Sequence, residues 1–186
     1  MSEVAEDARA SITRSFRFER DVLNILEEEA THMGISVNAL VGIILRRYSE
    51  FTRYLSKIDM IVLNREMLTS FLDVVSEEKV YEIGTILGRS TLPDTLMFWK
   101  KEVTDRGMME YIEKVMCRYG HLGTYDEKQM SGGQMNIVIR HRLGKKGSLF
   151  IEGYLKTGFE VTVGIKAAFE TTDSSVKCEL PFSPRR

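Results

Sequence analysis

The strongest constraint on the fold is a short alternating segment at residues 12–18 that precedes two amphipathic stretches. Successive residues of a strand point to opposite faces. Ile12, Arg14, Phe16 and Phe18 therefore share a mostly apolar face, and Thr13, Ser15 and Arg17 form a polar face. The pattern predicts a β-strand. A lone strand leaves its backbone hydrogen-bonding groups unpaired, so this one requires a partner strand.

Two helices are predicted after this strand, over residues 20–33 and 37–51, because apolar residues recur there at helical spacing. Gly34 suits the left-handed end of the first helix, and Ser36 suits the N-cap of the second. One broad side of the second helix is apolar, and it consists of Val37, Leu40, Val41, Ile44, Leu45, Tyr48 and Phe51. A homodimer would pair the two strands antiparallel and bury the two long helices against each other.

The stretch from Arg17 to Val41, RFERDVLNILEEEATHMGISVNALV, resembles the ribbon-helix-helix (Arc/MetJ/CopG) family of DNA-binding repressors. The resemblance consists of the charged strand end, the V-L-x-x-L run, the G-x-S turn and the N-A-L-V opening of the next helix. It implies a sequence-specific transcriptional regulator that binds double-stranded DNA as a homodimer or higher oligomer. The implied module, residues 11–52, is about a quarter of the chain.

The resemblance also implies base contacts, since in that family a two-stranded ribbon enters the major groove. By position, Thr13, Ser15 and Arg17 read the base edges. A bidentate contact of Arg17 with guanine O6 and N7 would contribute ~1–3 kcal/mol of discrimination. Thr13 and Ser15 are shorter than the polar side chains often found at these positions, which leaves the preferred bases open.

Phosphate contacts are expected at the start of the second helix. The backbone N–H groups of Ser36, Val37 and Asn38 lack helical partners at the positive end of the helix dipole. Arg14 adds a positive charge on the predicted strand. Such contacts set position and affinity rather than sequence preference. A second interpretation, that Ser36 only caps its helix, stays open at this point.

Charge alone does not indicate a DNA-binding protein. The chain has 26 Lys and Arg against 27 Asp and Glu, a net charge of −1. Residues 11–57 are also nearly neutral, with seven basic and six acidic side chains. DNA binding would therefore depend on where the arginines lie. We expect a shallower salt dependence than a strongly basic protein shows, because fewer counterions would be released.

The rest of the chain predicts a mixed α/β layer domain with mostly antiparallel strands and helices on one face. A strand is expected at residues 58–64, followed by helical stretches that break at Ser76. Hairpins are expected at 124–130 with 134–143 and at 165–171 with 176–180, and a helix at 148–163. The predicted fold class is thus α+β: a loose tail (1–10), a ribbon-helix-helix domain (11–56) and the α/β domain (57–186).

No catalytic, cofactor or metal site is predicted. The available metal ligands are Cys117, His121, His141, Cys178 and His32, and their spacing does not define a complete site. The cysteines are interpreted as free thiols. Residues 144–148, GKKGS, lack the spacing of a P-loop and are interpreted as a turn with an N-cap. Without a nucleophile elbow or paired acid and base, an enzyme is not expected.

The expected location is the cytoplasm, in association with the nucleoid. No segment has the apolar length of a membrane span, and MSEVAEDARA lacks the features of a signal peptide. Residues 57–186 are expected to bind a small effector or a protein partner, or to assemble dimers into larger oligomers. The alternative function is a protein-interaction scaffold or antitoxin-like protein in which residues 11–55 only dimerise.

Overall fold

The computed structural model describes residues 13–55, 57, 61–130 and 133–181. The chain divides into two units, Met1–Ser49 and Glu50–Arg186. The described residues of the first unit form the helices α1 (Arg20–Met33) and α2 (Val37–Arg47). The second unit contains an antiparallel sheet and the remaining helices.

The turn between α1 and α2 confirms the helix boundaries predicted from Gly34 and Ser36. Gly34 has a left-handed backbone (φ 67°), and the N–H groups of Gly34 and Ile35 donate to carbonyls of the last turn of α1. The Ser36 hydroxyl accepts a hydrogen bond from the Ala39 N–H at 3.2 Å. Both ends of the turn thus have the hydrogen bonds that helix termini need.

The predicted N-terminal ribbon is wrong. Residues 13–19 form no strand, and α1 begins directly after them at Arg20. A strand requires a ladder partner, and none of the described residues pairs with this segment. Phe16 and Phe18, predicted to be covered, are 62% and 44% exposed. The ribbon-helix-helix fold class is therefore incorrect, whereas an α+β architecture with an antiparallel sheet is correct; Ile12 lies outside the described residues.

The helices of the second unit are α3 (Arg65–Val74), α4 (Glu77–Ser90), α5 (Leu92–Lys100), α6 (Asp105–Glu110) and α7 (Gly144–Val163). π-Helical segments lie at Tyr48–Thr52 and Tyr111–Tyr119, and Arg53–Leu55 is a short α-helix. Side chains of Asn64, Ser76 and Thr104 cap the helices that follow them, and the predicted break at Ser76 is confirmed. The prediction of a strand at residues 58–64 is wrong for residues 61–64, the part that the structure describes. These residues have no regular secondary structure, and Asn64 is the N-cap of α3.

The sheet has the order β1 (Gly123–Gln129), β2 (Met135–His141), β4 (Ser175–Leu180), β3 (Ala168–Thr171), with every neighbouring pair antiparallel. Both predicted hairpins are confirmed, although β3 begins three residues later than expected. Alternate residues are buried on one face, from Met135 to His141 on β2 and from Val176 to Leu180 on β4. The opposite face is polar, and there Lys177 pairs with Glu170 and Glu179.

Helix α7 connects the two hairpins and packs closely against α4. Ile151, Leu155 and Phe159 on α7 are fully buried. At the crossing of α4 and α7, a Cβ on Gly84 or Gly88 would collide with backbone atoms of α7. Helix α7 begins at Gly144, earlier than the predicted Ser148, because the GKKGS segment forms its first turn rather than a separate loop. Among the described helices, none combines the length and apolarity that crossing a bilayer requires.

Candidate nucleic-acid interface

The N-terminal segment (residues 13–19) exposes every side chain that the sequence predicted to read bases. Thr13, Ser15 and Arg17 are all exposed. Arg14 is exposed as well, and its guanidinium donates to the neighbouring Thr13 carbonyl at 3.2 Å. Within the described part of the chain, no carboxylate pairs with Arg14 or Arg17. Since the segment is not a strand, the structure does not align these residues as one face of a ribbon.

At the start of α2, the Ser36 side chain accepts a hydrogen bond from one of the backbone amides that have no partner within the helix. The Ser36 hydroxyl accepts from Ala39, and the Ser36 carbonyl accepts from Leu40. The N–H groups of Val37 and Asn38 precede the first intrahelical hydrogen bond, so they point out of the helix at its positive end. Ser36 thus caps its helix, and the neighbouring amides are still available to an anion.

Most of the apolar side chains that the structure describes in the first unit are exposed. Among its described residues only Ala30 and Leu40 are buried, and Ile25 on α1 is 65% exposed. Other exposed apolar side chains are Val22, Met33, Ile43, Ile44, Leu45 and Tyr48. A unit of this size buries little apolar surface by itself, and exposed large apolar side chains are stabilised when a further surface covers them. The two helices therefore require a further surface to pack against.

The residues weighed as metal ligands do not form a metal site. Cys117, His121 and His141 line one cleft, whereas Cys178 is buried on β4 and His32 lies in the first unit. In the described ranges, no group of three or more His, Cys, Asp or Glu side chains is placed to hold a metal ion. Burial, with a smaller effect of Glu113, raises the pKa of Cys117 to about 12. Burial, with Glu179, raises that of Cys178 to about 12, so both thiols stay protonated.

His141 instead takes part in a buried hydrogen-bond chain. Its Nδ1 accepts from the Leu143 N–H at 3.2 Å, and its Nε2 lies 2.9 Å from the Ser148 hydroxyl. The Ser148 hydroxyl donates to the Thr172 carbonyl, which leaves its oxygen to accept from Nε2–H. Burial lowers the pKa of His141. The imidazole is therefore neutral and links β2 to α7.

A cleft at one end of the sheet is lined by three arginines that no sequence pattern indicated. This basic cleft has a volume of about 410 Å³, and its polar lining comes mainly from Arg65, His121, Thr124, Arg140, Arg142 and Ser174. These residues are up to 109 positions apart in the chain, so no local motif connects them. The one local cluster of basic residues in this lining is R-H-R at residues 140–142, at the end of β2.

Comparison with known proteins gives no family assignment. The resemblance of residues 17–41 to ribbon-helix-helix repressors depends on the local pattern of residues alone. No protein-family model matches the chain, and no curated protein matches it at a significant level.

Proposed function

We propose that this chain is a sequence-specific, duplex-DNA-binding transcriptional regulator that acts as a homodimer through its first unit. The observation that supports this most is the N-terminal segment, in which Arg14 and Arg17 are exposed and unpaired with carboxylates among the described residues. They lie immediately before α1 and α2, whose exposed apolar side chains require a further surface to cover them. The proposal does not include a β-ribbon.

Arg17 is the residue proposed to read sequence. A guanidinium makes two parallel hydrogen bonds to guanine O6 and N7 in the major groove, a contact that no other base pair offers in the same geometry. Thr13 and Ser15 precede it in the same segment and carry hydroxyl groups that can donate or accept hydrogen bonds. A homodimer has two such segments, so Arg17 of each subunit can contact one half-site of the same duplex.

Phosphate contacts are assigned to Arg14 and to the N-terminus of α2. The amides of Val37 and Asn38 and the dipole of α2 favour an anion at this position. Asn38 is exposed, so a phosphate can approach from solvent. These contacts orient the protein on the duplex and leave discrimination to the side chains of residues 13–17.

The second subunit is proposed to pack on the exposed apolar side chains of α1 and α2. Burial of apolar surface yields roughly 25 cal/mol per Å², and the exposed isoleucine, leucine and valine side chains of both helices supply such surface. Glu27, Glu28 and Glu29 are exposed on α1 and would repel phosphates, so they are assigned to the side away from DNA.

The Arg17→Ala variant tests this function. The full chain should bind a duplex selected from a random pool, and the variant should bind it at least tenfold more weakly and with less preference, as loss of a bidentate base contact predicts. Arg89→Ala, which removes an exposed arginine of α4 in the second unit, is the matched control and should bind normally. Fluorescence anisotropy measures affinity, and sedimentation checks that the dimer persists. Unchanged affinity and preference in the Arg17 variant would remove Arg17 from the interface.

A second candidate function is a protein-interaction scaffold. It is favoured by exposed apolar residues that are not confined to the first unit, such as Phe71, Val74 and Ile86 on α3 and α4. A scaffold would dimerise through residues 11–55 and show no duplex binding in the same anisotropy experiment. Duplex binding that Arg17→Ala weakens would exclude it.

A further inference from the structure

The basic cleft combines residues from four separate parts of the second unit. Arg65 is the first residue of α3, and His121 follows the π-helix Tyr111–Tyr119. Thr124 is in β1, and Arg140 is in β2 at the register position opposite it. Arg142 follows β2, and Ser174 precedes β4. The fold therefore brings three arginines, a threonine and a serine to the lining of one cleft.

The charge of this cleft is unbalanced. No Asp or Glu is among the residues that line it. Arg140 forms an ion pair with Asp126 on the polar face of the sheet, which reduces its contribution. Arg65 donates to the His121 carbonyl, a neutral acceptor, at 3.5 Å. No carboxylate among the described residues pairs with Arg142 or Arg65, so these two provide most of the uncompensated charge.

Guanidinium groups match the geometry of phosphate and carboxylate oxygens, because both present paired acceptors to the planar donor fork. The hydroxyls of Thr124 and Ser174 add donors beside them. The volume of about 410 Å³ falls within the ~300–1,000 Å³ typical of small-molecule sites. By comparison, the apolar cavity beside Phe51 and Trp99 has only about 20 Å³, enough for a single water.

We infer that the basic cleft binds a small, multiply charged oxyanion, a phosphorylated or polycarboxylate metabolite held by Arg65 and Arg142. The volume of the cleft favours a small molecule over the backbone of a nucleic acid. This site goes beyond DNA binding and does not depend on it, because every residue involved lies in the second unit.

Isothermal titration of the full chain without DNA tests the inference. The probes are pyrophosphate, ribose 5-phosphate and citrate, with uncharged ribose as the negative probe. At least one anion should bind, and ribose should not. If the phosphate probes bind more tightly than citrate, the ligand is a phosphorylated molecule. If citrate binds more tightly, the ligand is a polycarboxylate.

Variants locate the binding in the cleft. Arg142→Ala and Arg65→Ala should each weaken the best anion at least tenfold, and Arg89→Ala on α4 should not. Both cleft arginines are exposed, so thermal unfolding should show folded variants. Three results would overturn the inference: no anion binds, the Arg65/Arg142 double variant binds as the wild type does, or duplex DNA alone binds through these arginines.

Discussion

The Nε2 atom of His141 lies 2.9 Å from the hydroxyl of Ser148, and this contact joins the end of β2 to the first turns of α7 inside the second unit. The Leu143 N–H fixes the tautomer by donating to Nδ1. If Nδ1 were protonated, its N–H would face the Leu143 N–H, and neither donor would have an acceptor. The positive charge would also be buried, because His141 is only 5% exposed. The hydrogen bonds of His141 with Leu143 and Ser148 therefore require a neutral imidazole.

Folding stability should consequently fall in mild acid. Because burial lowers the pKa of His141 from 6.5, the unfolded chain binds more protons than the folded chain just below that pH. The free energy of unfolding then decreases as pH falls through that window and is unaffected by this group above about pH 8. Urea unfolding between about pH 5 and 8 should show a flatter profile for His141→Gln than for the wild type. The exposed His121→Gln variant is the control, and identical slopes in all three proteins would contradict this account of His141.

The crossing of α4 and α7 should tolerate no side chain at Gly88. A Cβ there would collide with the Tyr154 carbonyl, a backbone atom that cannot rotate away. Gly88→Ala should lower the free energy of unfolding by ~1–3 kcal/mol, as overpacking does. The neighbouring Arg89→Ala variant should change it by less than ~0.5 kcal/mol. Denaturant unfolding measures both, and equal stability of the two variants would show that the helices shift apart freely.

Dimerisation through the first unit should fail when a charge enters its apolar surface. Ile25→Glu and Ile44→Glu place carboxylates at side chains that are 65% and 46% exposed in the single chain. If a second copy covers them, each buried carboxylate has no partner, and the dimer dissociation constant should rise at least tenfold. Asn24→Glu, at an exposed polar position of α1, should leave it unchanged. Analytical ultracentrifugation reports this constant, and a dimer that survives both isoleucine variants would place the interface elsewhere.

DNA affinity should depend weakly on salt. Residues 11–57 hold seven basic and six acidic side chains, so only a few phosphates per subunit can be neutralised. The plot of log affinity against log salt should therefore be much shallower than the slope of about −10 known for a strongly contacting repressor. Anisotropy titrations at four salt concentrations provide the slope. A steep slope would show that many more cations contact the duplex than the N-terminal segment offers.

Local signals in the sequence were sufficient for elements that depend on a few neighbouring residues. Gly34 and Ser36 define the turn between α1 and α2, and Ser76 marks the break before α4. The two hairpins were found from alternation and turn residues. Apolar and polar residues alternate in the same way at residues 12–18, yet the described part of this segment forms no strand. Alternation shows only that a strand is possible, and a strand forms when a partner strand pairs with it.

The basic cleft could not be predicted from the sequence, because its residues are far apart in the chain. Arg65 and Ser174 are brought to one cleft by the order β1-β2-β4-β3 and the packing of α3, neither of which a local pattern specifies. Likewise, the sequence indicates a turn with an N-cap at residues 144–148, whereas Ser148 lies inside α7 and its hydroxyl is hydrogen-bonded to His141. Side chains whose roles depend on distant partners need the tertiary structure to be recognised.

The most direct test of the central claim is selection of bound fragments from a random duplex pool by the full chain, followed by sequencing. A homodimer that reads bases through Arg17 should enrich a motif with two-fold symmetry and a guanine in each half-site. The guanine preference should disappear with Arg17→Ala and persist with Arg89→Ala. A pool that stays random after repeated rounds would contradict sequence-specific DNA binding by this chain.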